Sequence, residues 1–231
     1  MALQLNEPVQ VYKEFYGRNV DQMPKLVGEG RAPLSVAGLM KRRLEVVDSP
    51  FEGLESAWIY NYFDTGDAIY RHNEGRCKVV LDDKALRSLN PKSKLLNGGL
   101  ALTEKAYDQG EGNVFSEKDL EKYTGRALKI TEVQDNPIWL DLARGDQHLL
   151  KEYAAMIFAK AKKTYGYNEN MGLYLPSTQE QPIMRSWYVG GLYGRSDAGG
   201  NCDLGNGDGR FVGVAPEALV AKNLEGKVGK K

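Results

Sequence analysis

Residues 183–195, IMRSWYVGGLYGR, are apolar on both alternating faces. Successive side chains of a strand point to opposite sides, so Trp187 and Val189 share one face while Met184, Tyr188 and Leu192 share the other. A strand of that kind is stable only with cover on both sides, which calls for a sheet buried between two layers. Helices from the middle of the chain can supply the layers. In DQHLLKEYAAMIFAKAKKTYG, Leu150, Tyr153, Ala154, Ile157, Phe158 and Ala161 form one apolar stripe. Asp146 is placed to cap that helix, Lys160, Lys162 and Lys163 complement the dipole at its end, and Gly166 can terminate it.

Other segments fill in the sheet. DAIYRH and RCKVVLD flank the polar turn Asn73-Glu74-Gly75 and predict a β-hairpin. RFVGVA is a candidate partner for the 183–189 strand, joined to it by SDAGGNCDLGNGDG. SVAGLMKRRLEVV predicts a helix with Val36, Leu39, Met40, Leu44 and Val47 inward and Lys41 and Arg42 on a basic outer face. Ser116 to Asp119 opens a further helix with a capping box. The pattern as a whole predicts one α+β domain, a mostly antiparallel sheet packed by several helices. Residues 1–30 read as an N-terminal arm and 222–231 as a disordered tail.

Composition limits the function. The 31 basic residues balance the 31 acidic ones, so nucleic-acid binding through phosphates is unsupported. No apolar stretch approaches the roughly 18 residues that span a bilayer, and the N-terminus lacks a basic segment followed by an apolar run. Two cysteines and two histidines are too few for a disulfide framework or a structural zinc site. These features predict a soluble, cytoplasmic protein with no membrane partner; they assign no cofactor, no metal site and no oligomeric state.

The segment NYFDTGDAIYRHNEGRCKVV carries the most suggestive short motifs. Phe63-Asp64-Thr65-Gly66 resembles the aspartic protease motif, in which two carboxylates share a proton and activate water. There the motif ends a hydrophobic strand and a small residue follows the glycine, whereas here Asp67 follows. The longer stretch from Tyr62 to Val80 resembles adenylate-forming enzymes of the acyl-CoA synthetase type, a likeness that implies Asp67 would hold the ribose hydroxyls of ATP. The chain has no Ser/Thr/Gly-rich phosphate loop to accompany it, so Gly66-Asp67 is read as a turn leading into the hairpin. His72 and Cys77 flank the hairpin turn, and a two- or four-residue loop would oppose them as an imidazole–thiolate pair; a three-residue loop with a bulge would set them diagonally.

The most unusual composition lies between Gly190 and Gly213, which holds nine of the 26 glycines. Asp203, Asn206 and Asp208 are of the type that ligates Ca²⁺, but the EF-hand register fails because Leu204 takes its first place and Ala215 its last. Two functional readings result. One is a site for a small polar or anionic ligand near the glycine-rich loop, with Arg185, Arg195 and Arg210 as anion-binding groups, Asp203 and Asp208 as polar partners, and Asp64, Asp67, His72 and Cys77 as weaker candidates. The other is a non-catalytic protein- or nucleic-acid-interaction module working through the basic helix and the aromatic strand. No catalytic residue can be named from the sequence.

Overall fold

A computed structural model describes residues 2–7 and 11–216. The predicted tail at 222–231 lies outside the described residues. The chain opens with β1 (Tyr12–Tyr16), α1 (Asn19–Gly28), β2 (Ala32–Pro33), α2 (Val36–Val46) and α3 (Leu54–Ile59). The hairpin of β3 (Phe63–Arg71) and β4 (Cys77–Val80) follows, then α4 (Lys84–Arg87), β5 (Leu95–Leu96), β6 (Gly99–Ala101), α5 (Glu104–Gln109) and β7 (Asn113–Phe115). The helical middle comprises α6 (Glu117–Tyr123), α7 (Ile130–Gln134), α8 (Pro137–Leu142) and α9 (Gln147–Tyr165). Last come β8 (Leu173–Tyr174), β9 (Ile183–Val189), β10 (Ala198–Gly199) and β11 (Arg210–Val214).

The strands join one sheet along the path β1-β11-β3-β9-β10-β8. Its pairings are antiparallel except β3–β11 and β8–β10. The fold class is therefore the α+β arrangement read from the sequence, and β9 holds the central, doubly covered place that its apolar pattern demands. Trp187, Val189, Ile69, Val79 and Val212 face a large core with α2, α3, α8 and α9. Met184, Ala68, Tyr70, Val80 and Phe211 face a second core built with α1, α4 and Leu204. The long helix α9 starts on Asp146, whose carboxylate accepts from the Leu149 amide, and ends at Gly166 with φ of 71°. No helix among the described residues is long and apolar enough to cross a membrane.

Three expectations are corrected. The segment predicted as an arm is built into the domain between Tyr12 and Gly28: β1 pairs with β11, and Phe15, Val20, Met23 and Leu26 enter the second core. RFVGVA does not pair with β9. It lies one strand further out, between β1 and β3, because both edges of β9 are already taken, one by β3 and the other by β6 and β10.

The basic face of α2 is also absent. Only Lys41 is exposed, while Arg42 is buried against the rings of Tyr12 and Trp58. Arg43 is wholly buried, and its guanidinium donates to the carbonyls of Trp58, Asn61 and Gly190 and to the Tyr153 hydroxyl at 2.7–3.0 Å. A planar five-donor group can satisfy convergent carbonyls in this way without a carboxylate.

Candidate functional site

The Asp64–Asp67 tetrad is a bulge rather than a turn. Asp64 pairs with Tyr188 and Ala68 with Ser186, so β3 spends four residues where β9 spends two. The extra residues are tied down by hydrogen bonds. Thr65 donates through Oγ1 to the Trp187 carbonyl at 2.8 Å. Asp67 accepts from the Val36 amide at the start of α2 at 2.7 Å, from the Asp82 amide at 3.0 Å and from Arg144 at 3.3 Å. A wholly buried carboxylate with three donors already in place is an anchor between β3, α2 and the loop at Asp82. The Asn73–Gly75 turn does close the hairpin, with the His72 amide donating to the Arg76 carbonyl at 2.9 Å.

His72 and Cys77 do not form a pair. Across the hairpin Cys77 opposes Arg71, whose Nη1 lies 3.2 Å from Sγ. The imidazole accepts from the Glu74 amide through Nδ1 and so donates through Nε2 to Glu104 at 2.8 Å. Burial pushes the Cys77 thiol above its usual range, which disfavours the thiolate.

The glycine-rich segment is not an unsupported span. Ala198 and Gly199 form β10, whose flanking amides donate to the carbonyls of Gly172 and Tyr174 at 2.9 and 2.7 Å. Leu204 is fully buried; its amide donates to Gly98 at 2.8 Å and its carbonyl accepts from the Val20 amide at 3.1 Å. Arg185 fastens the loop from below, donating to the carbonyls of Asn201 and Cys202 at 2.8 and 2.9 Å and to that of Asn97.

Arg210 is similarly occupied. It sits between the rings of Tyr16 and Tyr62, donates to Asn61 Oδ1 at 2.9 Å and pairs with Glu14 at 3.0 Å. Of the three predicted anion-binding arginines, Arg195 keeps a half-exposed guanidinium, 4.7 Å from the Tyr167 ring. Asp203 and Asp208 are exposed. Asp203 turns one oxygen onto the Gly205 amide at 2.8 Å, and the Asp208 carbonyl accepts from the Tyr62 hydroxyl at 2.5 Å. Burial raises that hydroxyl to about 12 despite Arg210 beside it.

What the strand register brings together is a row across the sheet: Phe15, Phe211, Asp64, Tyr188, Gly199 and Tyr174 oppose one another on neighbouring strands. The apolar end of the row, Phe15 and Phe211, belongs to the second core. The other end emerges beside the glycine-rich loop, where Tyr188 and Tyr174 are half-buried. Gly199 is required between them, since a Cβ there would lie 2.3 Å from the Tyr188 ring. Half-buried Asp197 and Arg195 and exposed Tyr193 and Asn201 lie along the adjoining chain. Burial and the charge of Asp197 push the hydroxyls of both Tyr188 and Tyr174 upward.

Two further features mark the adjoining turn. Arg195 and Ser196, neither of them glycine, both have left-handed backbone (φ 60° and 52°), and the buried Ser196 hydroxyl has no partner among the described residues. Such strain persists where the surroundings enforce it, commonly at functional turns. Reading residues in isolation missed Tyr174 and Tyr188, because only strand register aligns them, and Asn201, two residues beyond Gly199 in that row. A cavity of about 320 Å³ lined by Tyr123, Arg126, Glu132 and Asn136, among others, contains none of the candidate residues. Among the described residues no three His, Cys, Asp or Glu side chains are grouped to hold a metal.

This layered sheet is similar to the C-type lectin fold. That likeness comes from a solved structure described as "accommodation of massive sequence variation in Nanoarchaeota by the C-type lectin fold". It matches at a TM-score of 0.63 and 22% identity, over 88% of this chain and 97% of that one. No protein-family model matches the sequence, and no curated protein does.

Proposed function

We propose that the protein is a binding module whose recognition face is the exposed end of the tyrosine row together with the glycine-rich loop. The observation that carries this reading is the division of labour at that face. The loop backbone is held by its own amides, by Arg185 and by Leu204, whereas Tyr193, Asn201 and Asp208 project without side-chain hydrogen bonds to the described residues. Binding loops on rigid scaffolds have this character. The ligand class is small and polar, with a flat or apolar face to lie on the tyrosines and hydrogen-bonding groups for Asn201, Asp197 and Asp208. Anion binding falls to Arg195, since Arg185 and Arg210 are spent on structure.

The solved relative in fold is described as accommodating massive sequence variation; we extend that to this face, whose projecting side chains are replaceable without unfolding the domain. The test is a thermal-shift screen with sugars, nucleotides and amino acids, followed by mapping on Tyr188→Ala and Asn201→Ala. A ligand at 100 times its Kd stabilises by about 2.7 kcal/mol. Tenfold or greater weakening by both variants is expected. Hits whose affinity neither variant changes would place binding elsewhere and defeat the proposal.

A further inference from the structure

Every other arginine among the described residues donates to, or pairs with, an oxygen of the protein. Arg195 does not. Its guanidinium is half-exposed, lies 4.7 Å from the Tyr167 ring and meets no oxygen acceptor among the described residues. Asp197, the acid that feels its charge, is turned instead onto the Gly172 amide at 2.6 Å. A planar fork of N–H donors, the geometry that matches a carboxylate or phosphate, is left without a protein partner.

The surroundings hold that fork in place. The Arg195 amide donates to the Leu192 carbonyl at 3.0 Å, and its carbonyl accepts from the Met171 amide at 2.8 Å. Tyr167 packs against the larger core just after α9 and stacks on Tyr165, with ring centroids 5.3 Å apart and planes 22° from parallel. An arginine already seated on an aromatic platform loses little freedom when it takes an anion, so more of the contact appears as affinity. Lys162, three residues before Tyr165 and therefore its neighbour on α9, is exposed and has no ion pair among the described residues either. Tyr165 and Tyr193, the latter two residues before Arg195, are exposed, so ring surface and unpaired positive charge occur together. The acid at Asp197 decides between anions: one negative charge suits the guanidinium, whereas a dianion is opposed by that carboxylate.

We propose that Arg195, on the Tyr167–Tyr165 stack, is the carboxylate subsite of the recognition face, and that the ligands of that face are aromatic carboxylates. The carboxylate takes two N–H bonds from the guanidinium, the ring lies on exposed tyrosine, and Lys162 adds positive charge from α9. The inference rests on the recognition face proposed above, names its ligand class and extends it to the end of α9.

The test titrates the isotope-labelled full chain with three probes: phenylacetate, its uncharged amide phenylacetamide, and phenyl phosphate. Magnetic resonance reads the Arg195 Nε–Hε signal. Phenylacetate is expected to move that signal and to bind about tenfold or more tighter than either other probe, since a hydrogen bond to a charged group contributes at least that factor. Arg195→Gln should weaken phenylacetate by about tenfold or more, and Arg195→Lys, which keeps the charge without the fork, should not restore it. Should Arg195→Gln fail to fold, the comparison of acid with amide on the wild type decides. An Arg195 signal that phenylacetate leaves unmoved, equal affinity for acid and amide, tighter binding of phenyl phosphate, or full affinity in Arg195→Gln would each overturn the subsite, while the tyrosine face would still be judged by Tyr188→Ala and Asn201→Ala. Weakening by Arg195→Gln with no effect of those two variants would uphold the carboxylate subsite and remove the tyrosine face.

Discussion

Replacing Arg185 with Met keeps the aliphatic stem and removes the donors that hold three carbonyls, at Asn97, Asn201 and Cys202. Each bond from a charged donor contributes roughly 1.5–3 kcal/mol. The sum is an upper bound for two reasons. The Asn201 and Cys202 carbonyls can reach water once the loop moves, and removing the guanidinium also removes its burial cost. A net loss of about 2–4 kcal/mol follows, concentrated in the loop. Urea unfolding reads the global part. Hydrogen exchange reads the local part at the amides of Leu204 and Val20, which are bonded to Gly98 and Leu204 carbonyls. At about 1.4 kcal/mol per tenfold, their exchange should accelerate on the order of 100-fold. A stability change under about 1 kcal/mol with unaltered exchange would show that Arg185 does not hold the loop.

Asp64 is held above the usual carboxylate range by burial, against the Arg210 amide, Cys202 and Asn19. A raised folded pKa gives stability that is complete below the unfolded value and is lost as pH rises through the folded one. Wild type should therefore gain on Asp64→Asn as pH falls from 7 towards about 4, and a pH-independent difference in urea midpoints would refute this. Glu132 runs the opposite way: Arg126 and the Lys129 amide lower it to about 2. Its contribution is complete above the ordinary value and disappears as pH falls towards 2. Because the pair is exposed, Glu132→Gln should cost only about 0.5–1 kcal/mol near pH 7, and a loss that persists undiminished at pH 2 would contradict the assignment. Gly209→Ala would press a Cβ into Asn19 and the Gly17 carbonyl; overpacking of this kind costs about 1–3 kcal/mol, and a neutral thermal midpoint would mean the loop has room to shift.

The parts of the fold legible in the sequence were those governed by local periodicity. The double-faced pattern of 183–189 required a buried central strand, and the stripe and caps of α9 placed that helix within a residue or two at its ends. Partner choice was not local: RFVGVA looked able to pair with β9, but long-range register assigned it to β1 and β3. Arg42 read as solvent-facing because a helical pattern cannot reveal its burial against the rings of Tyr12 and Trp58, nor the carbonyls of Trp58, Asn61 and Gly190 that converge on its neighbour Arg43. Asp64 and Asp67 stood out in the sequence as unusual residues. Their unusual feature is burial within a bulge, and no short motif encodes it. The glycine-rich segment was recognised from composition alone, yet its glycines serve close packing against Tyr188 and Asn19 as much as freedom of the chain.

The central claim, a self-supporting loop that presents replaceable side chains, is tested most directly by randomising Tyr193, Asn201 and Asp208 together and measuring thermal midpoints across the library. Surface substitutions away from structural features stay within about 0.5 kcal/mol each. For a domain of this size each kcal/mol moves the midpoint by about 2–4 °C. Most variants should therefore remain folded within about 3–6 °C of the parent while differing in what they bind. A library in which most members unfold would contradict the account.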